Sequence, residues 1–265
     1  MHFLLHLPTF LSLLIITVAS VTVALAALFL VRRRYSPETL KENHEVAAII
    51  FGAFGWLYAV IVAFVVFVTW TGYSDASQNL QMEASQALDI FNSAEAFTAP
   101  LADQIRSRAI EYVESVRTDE LPRMTGENMA LYSMQPLRQL DQLLITAPSS
   151  AIENREVCAA ALRRLDSLME HRRLRIFSGN NTVPPLIWLV LVVGGVIMVA
   201  DTFFFAMKRF SVQAFMTAIL TVMLALVLFL IFVLDHPFTG RNRVSDGPLR
   251  QVLALMKEQQ AATTR

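Results

Sequence analysis

Residues Val46 to Trp70 read VAAIIFGAFGWLYAVIVAFVVFVTW. The run is uncharged and exceeds the roughly 20 apolar residues that a helix needs to cross a bilayer. Nothing stops the helix at its polar end. GYSDASQNLQMEASQAL, from Gly72 to Leu88, has no proline and keeps good helix formers. The sequence therefore predicts one rod that spans the membrane and carries on into water past Tyr73, Asp75 and Glu83.

The composition agrees with a membrane setting. Of 265 residues, 55% are hydrophobic and 17% charged, against about 25% charged in an ordinary soluble domain. The 22 basic and 22 acidic side chains cancel, which argues against a nucleic-acid partner, since phosphates call for a basic face. Cys158, the single cysteine, excludes an internal disulfide and any zinc site built on several thiolates. It lies in VCAAALRRL, a helix-like stretch where inert packing is the plain reading.

Upstream of the rod, Leu7 to Val31 is a second uncharged run. A cleaved signal peptide is the rival reading, but only His2 and His6 precede the run, and it is too long for such a segment. It ends on Arg32, Arg33 and Arg34, which suit a membrane face, so a retained helix is expected. The connection YSPETLKENHE is short and makes an antiparallel hairpin, with Ser36-Pro37-Glu38 as a helix-start signal.

Downstream, residues 71–182 are polar and punctuated by Pro100, Pro122, Pro136 and Pro148. Apolar residues between these prolines recur at helical spacing. Ile105, Ala109, Tyr112, Val113 and Val116 form one face, and Leu137, Leu140, Leu143 and Leu144 another. Leu162, Leu165, Leu168 and Met169 form a third, on a helix whose expected cap is Ser149 or Ser150 with Glu153 in the capping box. Core packing accounts for all three faces.

Thr182-Val183-Pro184-Pro185 introduces a third span, Leu186 to Met207, with Gly194-Gly195 near its middle and Lys208-Arg209 at its end. Phe210 to Leu234 is a fourth, with a small-residue stripe at Ala214, Ala218 and Ala225 that marks a close helix contact. The fold expected is an all-α membrane protein with four transmembrane helices in two hairpins and a helical extramembrane domain between them. The boundaries are 1–70, 71–182, 183–235 and a 236–265 tail with one short amphipathic helix. Lysines and arginines near the helix ends favour neither orientation: Lys41, Arg32–Arg34, Lys208 and Arg209 on one side face Arg172, Arg173, Arg175, Arg241, Arg243 and Arg250 on the other.

No catalytic signature is present, and neither an enzyme nor a cofactor is expected. His44-Glu45 lacks the second histidine of a zinc-protease helix, and there is no phosphate loop or nucleophile elbow. Asp235-His236 offers two metal ligands in a turn, too few for a site; a cap for the turn leaving the membrane is the plainer role for Asp235, with Pro237 ending the helix. Asp201 is the acid inside an apolar run, a position functional by default, although Lys208 and Arg209 two turns on offer it ordinary ion pairing. On the central rod, Trp56, Val60, Phe64 and Phe67 share one face. Around a symmetry axis that stripe would form a hydrophobic gate, with Asp75 and Glu83 as rings of acid that attract cations. The same stripe on an isolated span would face lipid.

Gly52-x-x-Gly55-x-Leu57-Tyr58-Ala59-Val60, followed by Phe64-Val65-Val66, Trp70, Tyr73, Ala76 and Glu83-Ala84, resembles the bestrophin-like membrane domain, a family widespread in bacteria. The exit of the last span, Leu234-Asp235-His236-Pro237-Phe238-Thr239-Gly240, is similar to that family's closing motif. The resemblance covers nearly the whole chain. It implies a bacterial cytoplasmic-membrane protein, in contact with the lipid bilayer and kin to bestrophins, which are pentameric ion channels with a narrow apolar neck on the second helix. Carried over on Trp70-x-x-Tyr73, that neck is Gly52, Trp56 and Val60, with Gly52 departing from the bulky residue expected. The acidic calcium clasp of animal bestrophins has no counterpart in the tail. Two functions are thus expected: a homo-oligomeric channel for small inorganic ions of either sign, or a non-conducting membrane scaffold or sensor whose soluble helices bind a partner protein.

Overall fold

The computed structural model describes residues 8–35, 44–124, 134–180, 182–205, 207 and 209–263. The Ser36-Pro37-Glu38 start signal, His2, His6, Lys41 and Lys208 lie outside the described residues. Among those described, the chain is helical throughout apart from turns and one isolated antiparallel bridge between Phe97 and Ile152. It divides into two units, Met1–Thr71 with Thr182–Asp235, and Gly72–Asn181 with His236–Arg265.

The first unit holds the apolar helices. Helix α1 is Thr9–Arg34, α6 is Pro185–Asp201 and α7 is Phe210–Leu234. They are joined by the first half of α2, His44–Ser93, which runs unbroken from the apolar stretch into the polar one as the sequence predicts. Among the described residues, four helices are long and apolar enough to cross a membrane. Helix α1 packs chiefly along α7, so the first hairpin of the chain closes against the second rather than on itself.

The face of α7 that becomes buried is Gln213, Thr217, Thr221 and Ala225. It lies one residue away from the expected alanine stripe, of which only Ala225 is buried. In a bilayer the polar side chains of a span turn toward protein, and this preference outweighs the small-residue pattern.

The third span is shorter than expected. Helix α6 ends at Asp201 and a single 3₁₀ turn, Thr202–Phe204, follows. Gln213 Nε2 donates to the carbonyls of Thr202 (3.0 Å) and Phe203 (3.2 Å), taking acceptors that a continuing helix would use. Helix α6 meets α2 through Tyr58, whose ring lies against Gly194 and whose hydroxyl donates to the Leu191 carbonyl at 2.8 Å. A Cβ on Gly194 would come within 2.6 Å of that ring, so glycine is needed there for close approach.

The second unit packs the polar half of α2 against α3 (Leu101–Ser115), α4 (Met134–Ile145), α5 (Arg155–Asn180) and α8 (Gly247–Thr263). Its core collects Leu80, Ile90, Ile105, Val113, Leu140, Leu165 and Leu168, all buried. The three apolar faces expected from spacing all point inward, with Leu143, Leu162 and Met169 half-buried at the margin. The segment after His236, set apart as a tail in the sequence, contributes Leu249, Val252 and Met256 to the same core.

One cap differs from expectation. Ser149 to Ala151 form a 3₁₀ turn, and the cap of α5 is Asn154, whose Oδ1 accepts from the amides of Glu156 (3.0 Å) and Val157 (3.2 Å). Asparagine satisfies the orphan amides of the first turn as well as serine does.

Candidate pore face and buried charge cluster

Within the first unit, α2 is covered on one side only. Tyr58, Val65 and Thr69 are buried, while Trp56, Val60, Phe64 and Phe67 are 78%, 63%, 68% and 65% exposed. These four large apolar side chains form an uncovered row, because the other described residues of the first unit pack against the opposite side of the helix. Gly52, one turn earlier, has open space around it. Asp75 is also exposed, in the second unit.

Glu83 does not join it. Expected as a second ion-attracting acid, it is fully buried inside the helical unit. Arg175 Nε donates to Glu83 Oε2 at 2.5 Å and Arg175 Nη2 to Oε1 at 3.0 Å, a bidentate pair. Tyr112 donates its hydroxyl to Oε1 at 2.6 Å. The physical reason is helical register: Glu83 follows Ala76 and Leu80 and precedes Ala87 on the buried side of α2.

The cluster has a second acid. Arg175 Nη2 donates to Glu120 Oε1 at 2.7 Å, and Arg172 Nη2 donates to Glu120 Oε2 at 3.2 Å. Glu120 sits at the end of a π-helical turn, Val116–Glu120, which continues α3 inward. Two carboxylates and two guanidiniums thus balance in a site closed to water. Burial works against the Arg175 charge, but Glu83 and Glu120 outweigh it and raise its pKa, keeping it cationic. Burial, followed by the charge of Glu83, pushes the Tyr112 phenol well above its ordinary value and holds it as a neutral donor.

In the sequence Arg172 and Arg175 stand among the charges near the helix ends, and Tyr112 on a packing face. The signal for the cluster was present. Ala161, Leu165, Leu168, Arg172 and Arg175 follow one another at steps of four, three, four and three, a buried stripe that ends in two cations.

In the exit motif the Asp235 carboxylate ties two helices together, and only the Asp235 backbone amide bonds to the last turn of α7. Asp235 is buried at the C-cap of α7; its Oδ1 accepts from the Val183 amide at 2.7 Å and its Oδ2 from Trp188 Nε1 at 3.2 Å. The carboxylate therefore fastens the start of α6 to the end of α7. Beyond it the chain turns sharply: Thr239 N donates to the His236 carbonyl (3.1 Å) and Val244 N to that of Pro237 (2.6 Å). Gly240 takes φ 76°, the left-handed region that glycine enters freely. Phe238 is buried against Gly179.

Asp201 closes α6 half-buried, and no ion pair reaches it among the described residues, Arg209 included. Among the described residues no group of three or more His, Cys, Asp or Glu is placed to hold a metal.

Four bilayer-length helices among the described residues and a helical extramembrane unit define an all-α multi-pass membrane protein. The chain belongs to the Bestrophin-like domain family, whose model matches residues 18–249. A solved structure of a variant bestrophin homologue from Klebsiella pneumoniae is 12% identical and superposes with a TM-score of 0.73, covering 92% of this chain and 98% of that one. A second structure of a bacterial bestrophin homologue from Klebsiella pneumoniae is 12% identical, with a TM-score of 0.72 and coverage of 91% and 97%. A structure described as a variant membrane protein is likewise 12% identical, with a TM-score of 0.72 and coverage of 91% and 97%. At this identity the likeness establishes the helical bestrophin fold. Comparison with curated proteins gives no match.

Proposed function

We propose that the chain assembles into a homo-oligomeric ring in the bacterial cytoplasmic membrane and conducts small inorganic ions along an axis lined by α2. The observation that supports this is the uncovered row of Trp56, Val60, Phe64 and Phe67 on a helix whose other side is sealed by its own subunit. Copies of that row around an axis form a hydrophobic constriction, which closes to ions by shedding water. Five subunits is the number implied by the resemblance to bestrophins. With Glu83 withdrawn into the helical unit, Asp75 is the acid left to bias selectivity toward cations.

Reconstitution in liposomes tests the reading. Phe64→Ala widens the constriction and removes apolar surface from it, so basal salt flux should rise severalfold over wild type. Flux at the level of empty liposomes in both proteins would overturn conduction.

A further inference from the structure

We infer that the first unit binds an anionic phospholipid, with an acyl chain in the cleft between α1, α6 and α7 and the headgroup on the arginines at the end of α1. The cleft holds about 450 Å³ and is walled by Ala24, Ala27, Val196, Ala200 and Ala225, with Phe203 at one end. Among the described residues its polar wall residues are Ser20 and Thr221, and Thr221 already donates its hydroxyl to the Thr217 carbonyl at 2.7 Å. Val23 and Val196, 69% and 62% exposed, stand on its walls, so the cleft opens at the bilayer-facing surface. An apolar chain is the occupant that such walls accept, because water would find almost no hydrogen bonds there.

Charge specifies the other half of the ligand. The Phe203 carbonyl, at the end of the cleft, accepts from Gln213, which in turn accepts from Arg32 Nε (2.8 Å) and Nη2 (2.6 Å). Arg32 also donates to the Met207 carbonyl and lies over the Phe210 ring at 5.9 Å. Every acceptor it meets among the described residues is neutral. Arg33 and Arg34, in the same last turn of α1, and Arg209, next to Phe210, are exposed. Among the described residues no carboxylate pairs with any of the four. A cluster of guanidiniums without a carboxylate partner among the described residues, above an apolar cleft between spans, is complementary to a phosphate headgroup carrying acyl chains.

Native mass spectrometry of the full-length protein, exchanged into micelles with phosphatidylglycerol or phosphatidylcholine, tests the site. Wild type should retain phosphatidylglycerol and shed phosphatidylcholine. The exposed double change Arg33→Ala/Arg34→Ala should weaken phosphatidylglycerol retention roughly thirtyfold, at about tenfold per 1.4 kcal/mol and about 1 kcal/mol per arginine. Val196→Trp, which closes the cleft from one wall, should abolish retention with the arginines intact, and Val23→Trp should repeat this from the other wall. Equal retention of the two lipids, or retention unchanged by the variants, would overturn the proposal. So would a change in subunit number on Val196→Trp, since the cleft would then be a contact between copies of the chain. None of these readouts depends on ion conduction.

Discussion

Replacing Glu83 by glutamine separates a buried ion cluster from a surface one. Glu83 accepts three hydrogen bonds, two from Arg175 and one from Tyr112, in a site without solvent. Glutamine keeps the volume but removes a charge, leaving two guanidiniums against Glu120 alone, and its amide can turn donors toward donors. Breaking one partner out of a buried pair costs about 3–5 kcal/mol. At 2–4 °C per kcal/mol for a unit of this size, melting of the extramembrane helices should fall by roughly 6–20 °C. The assay is far-UV circular dichroism of the full-length protein, with hydrogen exchange at α5 to locate the loosening. Arg108→Ala is the control, because Arg108 and Glu111 form a pair 39% and 49% exposed and such pairs contribute about 0–1 kcal/mol. Glu83→Leu with Tyr112→Phe, Glu120→Leu, Arg172→Met and Arg175→Met, which removes the whole cluster and the phenol that donates to it, should recover most of the loss, since apolar residues of similar volume substitute well for buried ions. A melting change for Glu83→Gln no larger than the control's would refute the reasoning.

The Tyr112 phenol, raised in the fold, should make the helical unit lose stability as pH climbs above about 10, where the unfolded phenol ionises and the folded one does not. Stability from this group is complete below that pH, and Tyr112→Phe should flatten the alkaline decline relative to wild type in melts from pH 8 to 11. Gly194→Ala drives a methyl into the Tyr58 ring at 2.6 Å and should cost about 1–3 kcal/mol, read as a lower melting temperature by tryptophan fluorescence, with Tyr58→Phe/Gly194→Ala no better. Asp75→Asn should shift the reversal potential under a salt gradient toward anions; an identical potential removes Asp75 from the ion path.

The positions of the spans were legible because hydropathy is a local property, and α2 was read as one rod because no breaker follows Trp70. What lay beyond reach were the partners. Glu83 looked like Asp75 from composition, both polar residues on one exposed-looking helix; only its register with Leu80 and Ala87, and a matching pair of arginines 89 to 92 residues on, turn it inward. Those arginines were visible as charges, but their place on a buried stripe competes with the ordinary expectation that arginine stays solvated. The early end of α6 depends on Gln213, a residue from the next helix. The shifted face of α7 likewise reflects a choice among neighbours that spacing within one helix does not contain.

A determined structure of the purified assembly in lipid nanodiscs bears most directly on the central claim. The expected result is a closed ring with α2 innermost and Trp56, Val60, Phe64 and Phe67 of every copy facing a common axis. A monomer, or a ring in which that row faces lipid, would contradict it.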